Sequence, residues 1–204
     1  MSDDAPTRML EAAGRVFAEK GYQAATVREI CQEAGVNIAA IHYHFGDKES
    51  LYVAAVKLAH LAGGDPAPAL ALDANETPRE QLRHFILATV SRMMGEHPKP
   101  WQAQLLMREM LNPSAACRAA LEAKIRPHFH MLLSILDRLL PAGTPDHVRR
   151  QIGFSVIGQC LHYRLASAIL PMLVPADELK TDYTPSRLAD HIWRFSLSAI
   201  DGWR

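Results

Sequence analysis

The apolar side chains of this chain recur at helical intervals along nearly its whole length. Between residues 7 and 20, Leu10, Ala13 and Phe17 fall on one helical face, and Gly21 follows as a helix stop. No stretch shows the two-residue alternation of a half-buried strand, and the sequence has no internal repeat. The pattern predicts an all-α fold of about nine helices.

Two helix starts follow one another closely within residues 26–44. Thr26 and Glu29 have the spacing of a capping box, in which each side chain satisfies a backbone N–H that the first helical turn leaves unpaired. Gly35 ends that helix and Asn37 can cap the next one, so the turn between them spans about three or four residues. A helix-turn-helix of this kind places its second helix in the major groove, which predicts double-stranded DNA as a partner.

The best domain boundary is the stretch GGDPAPALALDANETP at residues 63–78, which is rich in Gly, Pro and Ala. We predict a three-helix helix-turn-helix DNA-binding domain over residues 1–62 and a helical ligand-binding and dimerisation domain over residues 76–204. Prolines break the second part into long helical patterns, at residues 76–96, 100–111, 114–140, 146–170 and 185–202.

The second helix of the predicted motif carries the candidate base contacts. Its first turn has small side chains, so its backbone can approach base edges closely. Ile38 and Ala39 can meet thymine methyl groups, while Asn37 or His42 can hydrogen-bond to bases or phosphates.

Lys48 lies in the first turn of the following predicted helix, where the helix dipole disfavours a cation by about 0.3 to 1 kcal/mol. A DNA phosphate would reverse that penalty. The Lys48 ammonium, the Tyr43 hydroxyl and the first backbone amides of this helix can bind one phosphate together. The alternative is that Lys48 points into water beside Asp47 and Glu49.

Composition limits how DNA would be attracted. The whole chain balances 22 basic against 22 acidic side chains, and residues 1–60 hold six Lys or Arg against eight Asp or Glu. Attraction must then come from local placement, which predicts a modest salt dependence of binding. The acidic start, the three scattered cysteines and the charged and proline positions within the apolar stretch 152–174 predict a cytoplasmic protein that stays off the membrane.

The run AAGRVFAEKGYQAATVREICQEAGVNIAAIHYHFGDKESLY resembles the DNA-binding domain of the TetR family of bacterial regulators, with the resemblance extending over residues 7–62. It rests on F-x-x-x-G-Y, T-V-x-x-I-x-x-x-A-G-V and Y-H-F-G-D-K-E-x-L. The resemblance implies a dimer on a pseudo-palindromic operator, with phosphate contacts from Thr26, Arg28, Tyr43 and Lys48. One position departs from the family pattern: a residue that is commonly tyrosine is His42 here.

In that family the remaining helices form a ligand pocket and a dimer interface, and the segments WQAQLLMREMLNPS and FSVIGQCLHYRLA are similar to a subgroup with its own C-terminal domain. On the predicted helix 152–170, Ser155, Gln159 and His162 share one stripe that can line a cavity. Side chains suited to the wall of a pocket for a small-molecule effector are Trp101, Met107, Arg108, Met110, Phe129 and Met131. The alternative is that these groups serve packing or an interface.

A homodimer is also predicted from the last helices. Gly153 and Gly158 allow close helix approach, and the final helix repeats apolar residues at Leu188, Ile192, Phe195, Ala199 and Trp203. Two such helices from each chain would make a four-helix interface.

Three histidines raise the question of a metal or a catalytic site. His128 and His130 are two residues apart and point to different sides of a helix, and His162 has no partner in a recognisable nucleophile motif. We therefore expect no metal, no cofactor and no enzyme activity.

Two functions remain. The first is a ligand-responsive transcriptional regulator, in particular a repressor that a small molecule releases from its operator. The alternative is a helical ligand-binding or interaction module with a degenerate DNA-binding head, which the acidic balance of residues 1–60 permits.

Overall fold

The computed structural model describes residues 4–62, 75–95 and 99–203. All regular structure within these residues is helical, so the predicted all-α fold is confirmed. The eleven described helices are α1 (Ala5–Ala24), α2 (Val27–Ala34), α3 (Ile38–Phe45), α4 (Lys48–Ala62), α5 (Pro78–Met94), α6 (Pro100–Leu111), α7 (Ala115–Asp137), α8 (Asp146–Leu165), α9 (Leu170–Leu173), α10 (Ala176–Thr181) and α11 (Pro185–Asp201). None of them is long and apolar enough to cross a membrane.

Two short helices lie where the sequence predicts only breaks. The structure ends α8 at Leu165, before the predicted limit of residue 170, and α9 and α10 follow. Pro171 lies in the first turn of α9 and Pro175 is the N-cap residue of α10. At these positions a backbone N–H has no helical acceptor, so proline starts a helix there as readily as it breaks one.

The chain divides into two compact units. Of the described residues, the first unit combines 4–62 with 99–124, and the second combines 75–95 with 125–203. Helix α7 contributes to both. The structure therefore places α6, which the sequence analysis assigned to the ligand-binding domain, in the same unit as the helix-turn-helix.

Apolar packing explains why α6 belongs to the first unit. Trp101 and Leu105 are buried in the same core as Phe17 of α1 and Tyr52 of α4. Gly14 makes room for the indole, because a Cβ at that position would lie 2.4 Å from a ring carbon of Trp101. The closest approach of α1 and α6 thus depends on a missing side chain.

Polar side chains of α6 reach two other helices of this unit. The Arg108 guanidinium donates to the carbonyl oxygens of Ala18 and Glu19, at 3.3 and 2.9 Å. These two residues lie just before Gly21, whose φ of +78° interrupts the helical backbone of α1. The neighbour of Arg108, Glu109, is buried, and its carboxylate accepts from the hydroxyl of Tyr52 on α4 and from the backbone N–H and hydroxyl of Ser114. Ser114 in turn accepts from the Cys117 N–H, so Glu109 also orders the start of α7.

The second unit has its own core, formed by α5, the C-terminal part of α7, α8 and α11. Its fully buried side chains include Phe85, Ile86, Leu132, Ile135 and Ile192. Surface ion pairs and one indole connect its helices, as in the 2.8 Å contact between Arg83 Nε and Asp190 Oδ1 and the 2.9 Å bond from Trp193 Nε1 to the Arg79 carbonyl.

The residues predicted at the dimer interface divide between this core and its surface. Gly153 is buried against Phe129 of the same unit, and Leu188 and Ile192 are buried core residues, so these three are not available to a second chain. The periodicity that suggested an interface is, for them, the inward face of their own helix. The other four predicted positions are exposed: Gly158, Phe195, Ala199 and Trp203.

Candidate nucleic-acid interface

The start of α2 has the predicted capping box. The Glu29 N–H donates to Thr26 Oγ1 at 3.2 Å, and the Thr26 N–H donates to Glu29 Oε2 at 2.9 Å. Lys20 of α1 pairs with the same carboxylate at 2.6 Å. The hydrogen bond from Lys20, followed by those from Thr26, lowers the pKa of the Glu29 carboxyl to about 2. This capping box therefore also connects α2 to α1.

A turn at Gly35–Asn37 separates α2 from α3. Gly35 adopts a φ of +66°, in the left-handed region that glycine tolerates best. Asn37 Oδ1 accepts from the Ala40 N–H at 2.8 Å and so begins α3 as predicted. Ile41 on the opposite face is fully buried and holds α3 against the core of the first unit.

The outward face of α3 carries four of the predicted DNA-contact side chains. Ile38, Ala39, His42 and Tyr43 are all exposed, and Tyr43 reaches 85% exposure. An exposed tyrosine and a 48% exposed isoleucine on one short helix leave apolar surface that the first unit does not cover. Methyl groups, an imidazole and a phenol hydroxyl are the chemical groups that suit base edges and phosphates.

Lys48 has two intramolecular partners that the sequence does not suggest. Its Nζ lies 3.4 Å from the Gln23 carbonyl oxygen and 4.8 Å from the centroid of the Tyr22 ring. The partial charge of a carbonyl and the π face of a tyrosine both favour a cation, and they offset the dipole penalty at the start of α4. Sequence spacing does not point to Tyr22 or Gln23 as partners of Lys48, because the contact joins the end of α1 to α4.

His42 has an intramolecular partner as well. Its Nδ1 lies 2.6 Å from the carbonyl oxygen of Gly46, the residue that ends α3. Gly46 has φ +80° and ψ −77°, a conformation that a residue with a side chain rarely adopts. The imidazole orientation is thus set by the turn between α3 and α4.

Thr26 and Arg28, the two remaining predicted DNA contacts, are exposed at the start of α2. The Thr26 hydroxyl lies 2.9 Å from Glu29 Oε2, to which it donates. The structure thus shows all eight predicted DNA-contact residues on the helix-turn-helix or at the start of α4, with Thr26 and Asn37 also serving as caps.

The predicted ligand-contact residues are not assembled in one unit. Trp101, Met107 and Arg108 belong to the first unit, where Trp101 packs on Gly14 and Arg108 binds the end of α1. The others lie in the second unit: Phe129 and Met131 are half-buried on α7, Ser155 and His162 are exposed on α8, and Gln159 is half-buried. The polar stripe of α8 faces outward, with the Ser155 hydroxyl bound to the Gln151 carbonyl at 3.0 Å. Within the described residues, no group of three or more His, Cys, Asp or Glu is placed to hold a metal ion.

Comparison with known proteins gives this geometry its context. Residues 9–55 match the family described as "Bacterial regulatory proteins, tetR family", and residues 78–200 match "HTH-type transcriptional dual regulator CecR, C-terminal domain". The HTH-type transcriptional dual regulator CecR of Shigella flexneri is 32% identical over 206 residues, which cover 93% of this chain and 90% of that protein. The chain belongs to the TetR family of transcriptional regulators.

A further relative and two solved structures are consistent with membership of this family. The HTH-type transcriptional regulator BetI of Rhizobium meliloti is 30% identical over 181 residues, covering 88% of this chain and 87% of BetI. A TetR-like transcriptional regulator from Rhodococcus sp. RHA1 superposes with a TM-score of 0.62 at 18% identity, over 99% and 98% of the two chains. The Bacillus subtilis regulator FadR in complex with stearoyl-CoA superposes with a TM-score of 0.61 at 19% identity, over 95% and 98%. At these identities the two structures show a common fold.

Proposed function

We propose that this TetR-family regulator is a repressor that binds a pseudo-palindromic operator as a homodimer, and that a small molecule releases it. The observation that carries the proposal is the outward face of α3, whose exposed Ile38, Ala39, His42 and Tyr43 follow a capped helix and a tight glycine turn. As a chromosome-binding regulator it acts in the cytoplasm and has no catalytic role.

The side chains around α3 divide by chemistry into two groups. Tyr43, Lys48, Thr26 and Arg28 carry hydroxyl or cationic donors, which suit phosphate oxygens and are indifferent to sequence. Ile38 and Ala39 present methyl groups, which suit thymine, and Asn37 lies beside them at the first turn. Sequence preference therefore comes from the start of α3, and affinity from Tyr43 near its end and from the residues outside the helix.

The outer face of the second unit supports the homodimer. Phe154 on α8 and Phe195 on α11 are 63% and 61% exposed, and Gly158 and Ala199 leave room for a neighbouring helix. Large exposed aromatics in a helical unit mark an interaction surface. A second copy placing the same two helices against them would bury both rings in a four-helix interface.

The second unit also supports a small-molecule effector. Its core holds polar groups among apolar ones: the Thr89 hydroxyl lies 3.2 Å from His128 Nε2, and the His128 ring packs against Phe85 with 4.5 Å between ring centroids. Sites that bind small molecules combine a few polar groups with apolar and aromatic side chains, and this pair has that composition. The fold neighbour FadR was solved with stearoyl-CoA, so an acyl compound is a reasonable first probe.

The test measures, by fluorescence anisotropy, how the protein binds its own upstream DNA and a scrambled duplex at two salt concentrations. We expect selective binding by a dimer, and release when the effector is found by a compound screen. Indifferent binding, or none, would favour the interaction module with a degenerate head.

Two variants check the assignment of phosphate contacts. Tyr43→Phe and Lys48→Ala remove one donor each, so we expect both to weaken binding to every duplex by a similar factor and to leave sequence preference unchanged. Ala39→Ser, on the same exposed face, is the matched control and should change preference instead. Equal effects of all three variants on all duplexes would contradict the division of roles.

A further inference from the structure

The hydrogen bond of His42 fixes which nitrogen of its ring carries the proton. The Gly46 oxygen that lies 2.6 Å from Nδ1 is a carbonyl, and a carbonyl can only accept. Nδ1 must therefore be the donor. A neutral imidazole has a single N–H, so Nε2 is left as an acceptor with a free lone pair.

The backbone of the α3–α4 turn directs the Gly46 carbonyl at this ring. The Gly46 N–H donates to the His42 carbonyl at 3.0 Å, and the Asp47 N–H donates to the Phe45 carbonyl at 3.1 Å. With φ +80° and ψ −77° at Gly46, the second bond closes a γ-turn of the strained, positive-φ kind. Glycine at this position is what allows the imidazole to be held.

The free acceptor lies on the face that reads DNA. His42 is exposed, one helical turn after Ile38 and Ala39, and no residue in the described parts of the chain hydrogen-bonds to its Nε2. A phosphate diester has no proton to donate, so it cannot form a hydrogen bond to Nε2 as an acceptor. In the major groove the donors are the N6 amino group of adenine and the N4 amino group of cytosine, whereas guanine and thymine present acceptors there.

We propose that His42 is a specificity-determining residue that accepts a hydrogen bond from adenine N6 or cytosine N4 at one position of each half-site. The inference rests on the proposed DNA-binding role of α3. It replaces the phosphate contact left open at this position by a base contact of defined polarity. A tyrosine hydroxyl at the same position both donates and accepts, and it would discriminate less.

Two substitutions distinguish a base contact by His42 from a purely structural role in the turn between α3 and α4. His42→Asn places an amide nitrogen near the position of Nδ1 and can keep the bond to Gly46, but it removes the outward acceptor. His42→Gln places an amide near the position of Nε2, so it presents both a donor and an acceptor outward and loses the bond to Gly46. Thermal unfolding of both full-length variants shows whether the head remains folded.

The experiment selects duplexes from a random library with the wild type and both variants, and then measures affinity on the selected operator. For the wild type we expect one position per half-site restricted to adenine or cytosine, and a roughly three- to ten-fold loss when that base is replaced by its analogue lacking the amino group. His42→Asn should tolerate all four bases and should not respond to the analogue. His42→Gln should accept guanine and thymine as well.

Three results would overturn the proposal. An unchanged profile for His42→Asn would mean that His42 only holds the turn. Uniform weakening of all duplexes with a smaller salt slope would mean a phosphate contact. Failure of the wild type to select any sequence would refute operator binding itself, which distinguishes that failure from the first two.

Discussion

Burial changes the protonation of individual side chains in this regulator, and His128 is a clear case. Its ring packs on Phe85 in the core of the second unit, and its Nε2 donates to the Thr89 hydroxyl oxygen, because that hydroxyl already donates to the Phe85 carbonyl at 2.8 Å. Burial, followed by the nearby Arg92 charge, lowers the pKa of His128 to about 4. The imidazole is therefore neutral in the folded protein at pH 7.

Acidification should destabilise the second unit through this residue. The unfolded chain binds a proton at His128 below about pH 6.5, whereas the folded chain resists it down to about pH 4, so stability is present above the first value and is lost between the two. Because the ring is only partly buried, we expect a loss of about 2 kcal/mol rather than the full linkage value. Urea unfolding at several pH values measures this loss of unfolding free energy. The variant His128→Gln keeps a donor for Thr89 but does not titrate, so its unfolding free energy should fall less in this window; an identical pH dependence would contradict the assignment.

At the scale of helices, local chemistry explains which ends the sequence could predict. The caps at Thr26 and Asn37 and the stop at Gly35 depend on residues within one turn of each other, and all three are as predicted. The end of α8 is different. It stops at Leu165 although the apolar pattern continues to residue 170. The Ala166 N–H still binds the His162 carbonyl four residues back, but the Ser167 N–H binds the Arg164 carbonyl three residues back. The spacing of apolar residues does not indicate where the backbone leaves the helical conformation.

The contact between α1 and α6 predicts that Gly14→Ala lowers the free energy of unfolding, although helix propensity alone would raise it. In an isolated helix, Gly14→Ala would gain about 1 kcal/mol from helix propensity. Here the new methyl group would lie 2.4 Å from the Trp101 ring, in a core with little room to move, and overpacking of this kind costs about 1 to 3 kcal/mol. We expect net destabilisation in thermal or urea unfolding.

A double variant identifies the cause of that effect. Trp101→Leu removes the ring atoms that would be displaced, so Gly14→Ala should cost much less in the Trp101→Leu background than in the wild type. If the two changes are additive, or if Gly14→Ala alone stabilises the protein, α6 does not approach α1 as closely as the structure shows.

At the scale of the whole molecule, the assignment of α6 shows what a single sequence cannot predict. Its bounds, residues 100–111, are those expected from the apolar pattern and from Pro100 in the first turn. Its neighbours are not encoded locally. Trp101 needs the gap at Gly14, and Arg108 needs the carbonyls of Ala18 and Glu19, just before Gly21 interrupts α1. Read without those partners, a tryptophan, an arginine and several methionines suggested the wall of a ligand pocket. Trp101 and Arg108 hold α6 in the unit that carries the helix-turn-helix, and their part in a ligand pocket stays a prediction.

Dimerisation decides whether a helix-turn-helix protein reads one half-site or two, and the exposed ring of Phe195 provides its sharpest test. Phe195→Glu adds a charge to the face of α11 proposed to meet a second copy. The Phe195 ring is exposed and lies outside the buried core of the second unit, so folding of that unit should be unaffected. Across a two-fold axis the new carboxylate would be buried without a partner, and we expect the dimer to dissociate by a factor of about a hundred or more.

Leu111→Glu is the matched control, because Leu111 is also 61% exposed but belongs to the first unit. Light scattering after size-exclusion chromatography gives the mass of each variant, and anisotropy with one-half-site and two-half-site duplexes gives the consequence for DNA. Phe195→Glu should run as a monomer and lose the advantage of the second half-site, while Leu111→Glu should keep both mass and affinity. If both variants remain dimers, the interface does not include the α8 and α11 face. If both dissociate, the association depends on general surface charge and not on that face.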